Sequence, residues 1–259
     1  MRDVEVAPAT WDEFKGDLQA SLRAWRIAPL LPLTSVLLFL SSYVPDPWWW
    51  LALPVFLFTI GWFGTERIWY LRIYWGESIS TRELWRMTWA FFWRFVRLGV
   101  LAAIVWSPVL ILAFRNIAND PDPAEEAFST PTVWITSAIL TVVIDFVLTF
   151  VTPALAFSTR RVREALRLGL RMLRDHWPQT AWYALVPPLA ILLMFRVTEP
   201  SSLSFAGRMA ISSGSILLNL WFKGATTAFY LPRVRVGSQG AAFTKEGDVG
   251  ATSAAKAAC

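Results

Sequence analysis

The sequence predicts an all-α polytopic membrane protein with six transmembrane helices and three basic, amphipathic elbow helices lying at the membrane interface. Three observations predict this class. The 259 residues are 55% hydrophobic, with 16 Trp and 18 Phe, yet only 17% are charged, where a soluble domain carries about 25% charged residues. Six stretches are apolar for long enough to approach the roughly 20 residues that cross a hydrocarbon core. All but three of the 24 Lys and Arg residues gather at alternate ends of those stretches.

The chain begins with an acidic stretch containing Asp3, Glu5, Asp12, Glu13 and Asp17 before any apolar run. This is unlike a cleavable signal peptide, so the amino terminus is expected to be retained. Six spans follow at about residues 27–44, 48–66, 98–115, 132–157, 179–196 and 208–230, with Trp48, Trp49 and Trp50 suited to an interface. Runs such as SVLLFL and SAILTVVIDFVLTFV do not alternate in polarity, which excludes the dyad pattern of a membrane β-barrel. The cations set the direction. Arg115, Arg196 and Arg208 are the three exceptions to the clustering, and the positive-inside rule then puts both termini in the cytoplasm and the acidic linker NDPDPAEEAFSTP outside.

Each outward-running span is preceded by an amphipathic elbow. Asp12, Glu83 and Glu164 align, as do Lys15, Arg86 and Arg167, and Leu18, Trp89 and Leu170. Residues 1–236 therefore read as one membrane domain of three elbow-plus-hairpin pseudo-repeats, about 10–68, 81–158 and 162–232. A further echo, Ala156-Phe157 before Arg161 and Ala228-Phe229 before Arg233, fits the same duplication. Residues 237–259, rich in Gly, Ala, Ser and Thr, are expected to form a disordered cytoplasmic tail. In the third elbow Arg163, Arg167, Arg171 and Arg174 share an arc of about 80°. With Arg82 and Arg86 they are candidate contacts for anionic lipid headgroups, although anchoring and orienting the spans is a sufficient reason for their presence.

The segment STRRVREALRLGLRMLRDHWPQTAWYALVPPLAILL resembles the repeating unit of the glycerophosphoryl diester phosphodiesterase membrane-domain family and related six-span bacterial proteins. The resemblance implies a bacterial cytoplasmic membrane. In that family the chemistry belongs to a separate hydrolase domain, which has no counterpart here, so it implies no catalytic residue.

Functional candidates are polar groups at mid-membrane depth, because a central Asp costs about 2.5–3.5 kcal/mol to insert. Asp145 in the fourth span and Asn219 in the sixth fall at matching depths, and Lys223 lies one helical turn beyond Asn219 on the same face. Asp145, Asn219 and Lys223 are expected to form a polar cluster inside the bundle, serving either helix packing or a solute path. Glu66, Arg67 and Glu83 read as interfacial charges matched by neighbouring arginines, with Glu66 a possible guard of a cytoplasmic entrance. Prolines fall in five of the six spans and read chiefly as kinks.

Other chemistry is excluded or disfavoured. His176 is the single histidine and Cys259 the single cysteine, so multi-histidine and Cys-rich metal sites are absent, as is an internal disulfide. No phosphate loop, zinc-protease motif or nucleophile elbow occurs. No cofactor is expected, and the cations, tied to apolar spans, do not form a nucleic-acid-binding domain. The sequence thus favours a non-enzymatic transport unit or a membrane partner subunit, in contact with anionic lipids and with a protein partner or a second copy. The alternative is a membrane enzyme or lipid-handling protein acting at the cytoplasmic leaflet.

Overall fold

The computed structural model describes residues 11–40, 49–119, 131–177, 179–197 and 204–233. These form eight α-helices and no strand: α1 (Trp11–Ile27), α2 (Leu30–Leu40), α3 (Trp49–Tyr74), α4 (Thr81–Asn119), α5 (Pro131–Pro153), α6 (Val162–Asp175), α7 (Ala181–Val197) and α8 (Phe205–Tyr230), with a π-helical turn at Ala154–Ser158. Most of the acidic linker and the tail at 237–259 lie outside the described residues.

Two helical stretches, Thr81–Pro108 and Ala138–Ser158, are long and apolar enough to cross a membrane, with mean hydropathies of 1.5 and 2.2. Only 28% of either apolar window is buried, so most of this apolar surface faces outward. The same holds for other helices. Leu33 and Leu37 of α2, Leu53 of α3, Val100, Ile104 and Ile111 of α4, Ile135, Ile139 and Val143 of α5, and Leu189 and Leu193 of α7 are all exposed.

The interior is held by three close crossings, one for each elbow segment. The most extensive helix pairs are α3 with α4, α1 with α8, and α5 with α6. A small residue permits each approach. A Cβ on Gly61 would lie 2.1 Å from the Thr88 carbonyl oxygen, one on Gly169 would lie 2.7 Å from the Val151 nitrogen, and one on Gly224 would lie 2.0 Å from Ser21 Oγ. The elbow residues at these crossings are Ser21, Thr88 and Gly169, and Ala24, Phe91 and Met172 three positions on are likewise buried. Thr88 and Gly169 correspond in the sequence alignment of the second and third elbows. The first elbow is shifted: the alignment puts Asp17 at this position, whereas the buried face puts Ser21 there, one helical turn on.

The second elbow departs from the expected plan. Instead of an elbow followed by a separate span, α4 is one continuous 39-residue helix. Its buried stripe, Met87, Thr88, Phe91, Arg94, Phe95 and Leu98, has the spacing of one helical face. The other two elbows end near a proline, Pro29 or Pro178, whereas α4 meets only Gly99 at the junction, and a lone glycine is tolerated within a helix. The contacts with α3 run Phe58 to Trp85 and Trp89, Gly61 to Thr88, and Gly64 to Phe91 and Phe95. Residue numbers rise together on both helices, so α4 crosses over α3 there and does not simply run back alongside it.

The link between α5 and α6 is the π turn. Pro153 precedes it, and Thr159 N donates to Ala154 O at 3.0 Å, an i→i+5 bond. Ala154, Leu155, Ala156 and Phe157 are fully buried, which fixes the direction in which α6 leaves the bundle.

Candidate functional site

A cavity of about 710 Å³ lies among α3, α4, α5, α7 and α8. Most of its wall is apolar, including Phe63, Phe95, Leu98, Leu148, Pro187 and Phe222. Its polar groups are Arg67, Asp145, Thr149, Thr152, Tyr183, Asn219, Lys223 and Thr226. Asp145, Asn219 and Lys223 therefore line one space, contributed by α5 and α8.

The ion pair within this group differs from the expected arrangement. Lys223 Nζ donates to Glu66 Oε2 at 2.6 Å, and its ammonium sits 4.1 Å from the centre of the Phe63 ring. The other carboxylate oxygen of Glu66 accepts from Ser35 Oγ at 2.7 Å, and Ser35 in turn accepts from Trp62 Nε1 at 3.0 Å. Glu66 is thus a buried partner of a lysine and not an interfacial charge beside arginines. Glu83 does meet an arginine, with Arg72 NH1 at 3.6 Å, and it caps the start of α4 through Ser80.

Arg67 was expected at an interface and is instead 4% exposed. Its guanidinium donates to Lys223 O at 3.0 Å, Thr227 Oγ1 at 3.2 Å and Thr152 Oγ1 at 2.7 Å. These three neutral acceptors join α3 to α5 and α8. The Asp145 carboxylate makes no hydrogen bond or salt bridge among the described residues. Thr149, one turn beyond Asp145, bonds back to the Asp145 carbonyl at 2.6 Å, the usual fate of a hydroxyl in an apolar helix.

Sequence reasoning passed over Glu66 and Arg67 as site residues because the second span was ended at about residue 66. The helix continues to Tyr74, which places both charges mid-helix. The adjacent pair of opposite charges within an unbroken helical run was the available signal. Arg72 and Arg94, like Arg67, are buried, so only part of the arginine cluster after the second span is surface charge.

The lipid-contact candidates Arg82, Arg86, Arg163, Arg167, Arg171 and Arg174 are all exposed. Exposed tryptophans accompany them: Trp85, Trp89 and Trp93 on α4, and Trp177 after α6.

A second polar cluster, sharing Tyr183 with the cavity, joins α1 to α7, to α8 and to the residues just after α8. Tyr183 Oη donates to Asp17 Oδ2 at 2.5 Å, Arg233 pairs with Glu13, and Trp221 Nε1 donates to Leu18 O at 2.8 Å. Burial pushes the Asp17 carboxyl up from 3.8 to about 6, the Tyr183 hydrogen bond working in the other direction. Among the described residues no group of His, Cys, Asp and Glu side chains could hold a metal ion.

No protein-family model, no curated protein and no solved structure matches this chain.

Proposed function

We propose that this chain is a six-span membrane protein that binds a small solute in its central cavity and carries it across a bacterial cytoplasmic membrane. The observation that carries this reading is the cavity itself, with Arg67, Asp145, Asn219 and Lys223 gathered inside a bundle whose outer surface is aliphatic. Charged groups within apolar helices are costly and are retained where they face a bundle interior or an aqueous path. The exposed aliphatic residues on α2, α3, α4, α5 and α7 support more spans than length and composition alone identify, because a soluble surface does not keep apolar belts of that extent. The bacterial setting is the part that rests on the resemblance to the phosphodiesterase membrane-domain family.

Reconstituted protein tests this reading by flux of a panel of cationic, anionic and zwitterionic solutes into liposomes. Gly99 lines the exposed edge of the cavity, and a Cβ there would meet nothing within 4 Å, so Gly99→Phe obstructs that opening at little backbone cost. Transport of at least one solute, lost in Gly99→Phe with the fold intact, is expected. Wild-type protein that moves none of the panel sinks the transport reading.

The exposed arginines and tryptophans of the elbows favour a second role, contact with anionic lipid. Cations near such a surface each contribute about 1 kcal/mol, and tryptophan suits the headgroup layer.

A further inference from the structure

Taking the cavity as a solute site, we infer that its ligand is a zwitterion with an apolar body, the anionic group at Arg67 and the cationic group at Asp145. Three features carry this. First, Lys223 gives its hydrogen bond to Glu66, whose second oxygen is taken by Ser35, so that Lys223 reaches Asp145 by its charge and not by a bond. Second, Arg67 and Asp145 line the same cavity with no salt-bridge partner among the described residues. Arg67 is held by two hydroxyls and a carbonyl, the one carboxylate whose charge acts on it, Glu66, is itself bound to Lys223, and the bonds described occupy three of its five N–H donors. Third, the two charges are held apart. Thr152, which fixes the guanidinium, lies two helical turns beyond Asp145 on α5, a rise of about 10 Å.

That separation leaves room for a ligand carrying both charges several ångströms apart. A simple anion would meet the Asp145 carboxylate in the same space, and a simple cation would meet Arg67. A neutral apolar molecule would strip water from both charges and return nothing. The apolar remainder of the wall, with Phe63, Phe95 and Leu98 prominent, fits a ligand whose uncharged part is hydrophobic. Short peptides and zwitterionic lipid headgroups share this chemistry.

Radiolabelled leucyl-leucine, N-acetyl-leucyl-leucine and leucyl-leucine amide supply zwitterion, anion and cation on one apolar body. Lysophosphatidylethanolamine and lysophosphatidylglycerol supply the zwitterion and the singly charged anion on a lipid. Binding to purified protein in an uncharged detergent at pH 7 is expected to favour one zwitterion at least tenfold over its singly charged analogues. Preference for the dipeptide assigns a free solute; preference for the ethanolamine lipid assigns a headgroup. In Asp145→Asn, which removes a charge but no described side-chain hydrogen bond, the favoured zwitterion is expected to fall to the level of its anionic analogue. A singly charged probe held as tightly as the zwitterion in wild-type protein, and lost in Gly99→Phe, overturns the inference while leaving the cavity reading intact. Binding that Gly99→Phe leaves unchanged for every probe removes both.

Discussion

At the scale of single residues the chain stores opposite charges where water is scarce, and this has measurable consequences. Glu66 and Lys223 are 5% and 17% exposed at their side chains. Removing one partner of such a pair leaves an uncompensated charge, a loss of about 3–5 kcal/mol, whereas removing both is far less harmful. Glu66→Gln and Lys223→Met are each expected to lower thermal stability in detergent strongly, and the double variant to recover most of the loss. Additive losses in that double-mutant cycle would show that the two charges do not act as a pair. Asp17 gives a pH dependence of defined sign. Its carboxyl titrates near 3.8 when unfolded and near 6 when folded, so the folded state binds the proton more tightly. The stability that follows is complete below pH of about 4 and disappears as pH rises through about 6. Asp17→Asn is expected to flatten the melting-temperature profile across that window.

At the scale of elements, the three crossings depend on the absence of a side chain on one helix or the shortness of one on the other. Gly169→Val would press a methyl-bearing Cβ into the backbone at Phe150 and Val151, and overpacking of this kind costs typically 1–3 kcal/mol. Gly16→Ala, in the interior of α1 with nothing near its Cβ, is expected to stabilise by up to about 1 kcal/mol. Denaturation of the two variants side by side tests the contrast. The elbows make a second prediction: replacing Arg163, Arg167, Arg171 and Arg174 by Gln should reduce retention of anionic lipid while preserving the fold, with the wild-type advantage shrinking as salt rises. Equal lipid retention by the variant would leave those arginines with orientation alone. The elbows were legible in the sequence because charge and apolar residues repeat with a helical period. The fusion of the second elbow into α4 was not, since a separate elbow and span were read there by analogy with the other two repeats: prolines adjoin the first and third elbows, whereas the second junction has only Gly99, which does not break a helix. The one-turn slip of α1 was hidden for a related reason. Sequence similarity aligned the charged faces, while the buried faces, with Ser21 at the crossing, determine the packing.

At the scale of the whole molecule, the helical class and the apolar runs followed directly from composition; Asp145, Asn219 and Lys223 do line one cavity, but Lys223 bonds to Glu66 and not to either of them. The contribution of α3 did not follow, because Glu66 and Arg67 were read at the end of an apolar run, whereas the helix continues to Tyr74. Topology remains the prediction on which the proposed six-span reading turns. In a Cys259→Ser background, a single cysteine at position 122 is expected to react with an impermeant thiol reagent added to intact cells. One at position 167 is expected to react only after the membrane is opened. Equal labelling of the two positions before permeabilisation would overturn the orientation.

The crossing of α1 with α8 also bears on how the molecule is assembled. Ser21 rests against Gly224, so α1 has its main neighbour about two hundred residues further along the chain. At roughly 5–20 residues per second, synthesis of α8 follows that of α1 by on the order of ten seconds or more. The α1–α8 crossing therefore closes late, and a protein truncated before α8 would leave α1 without its main neighbour.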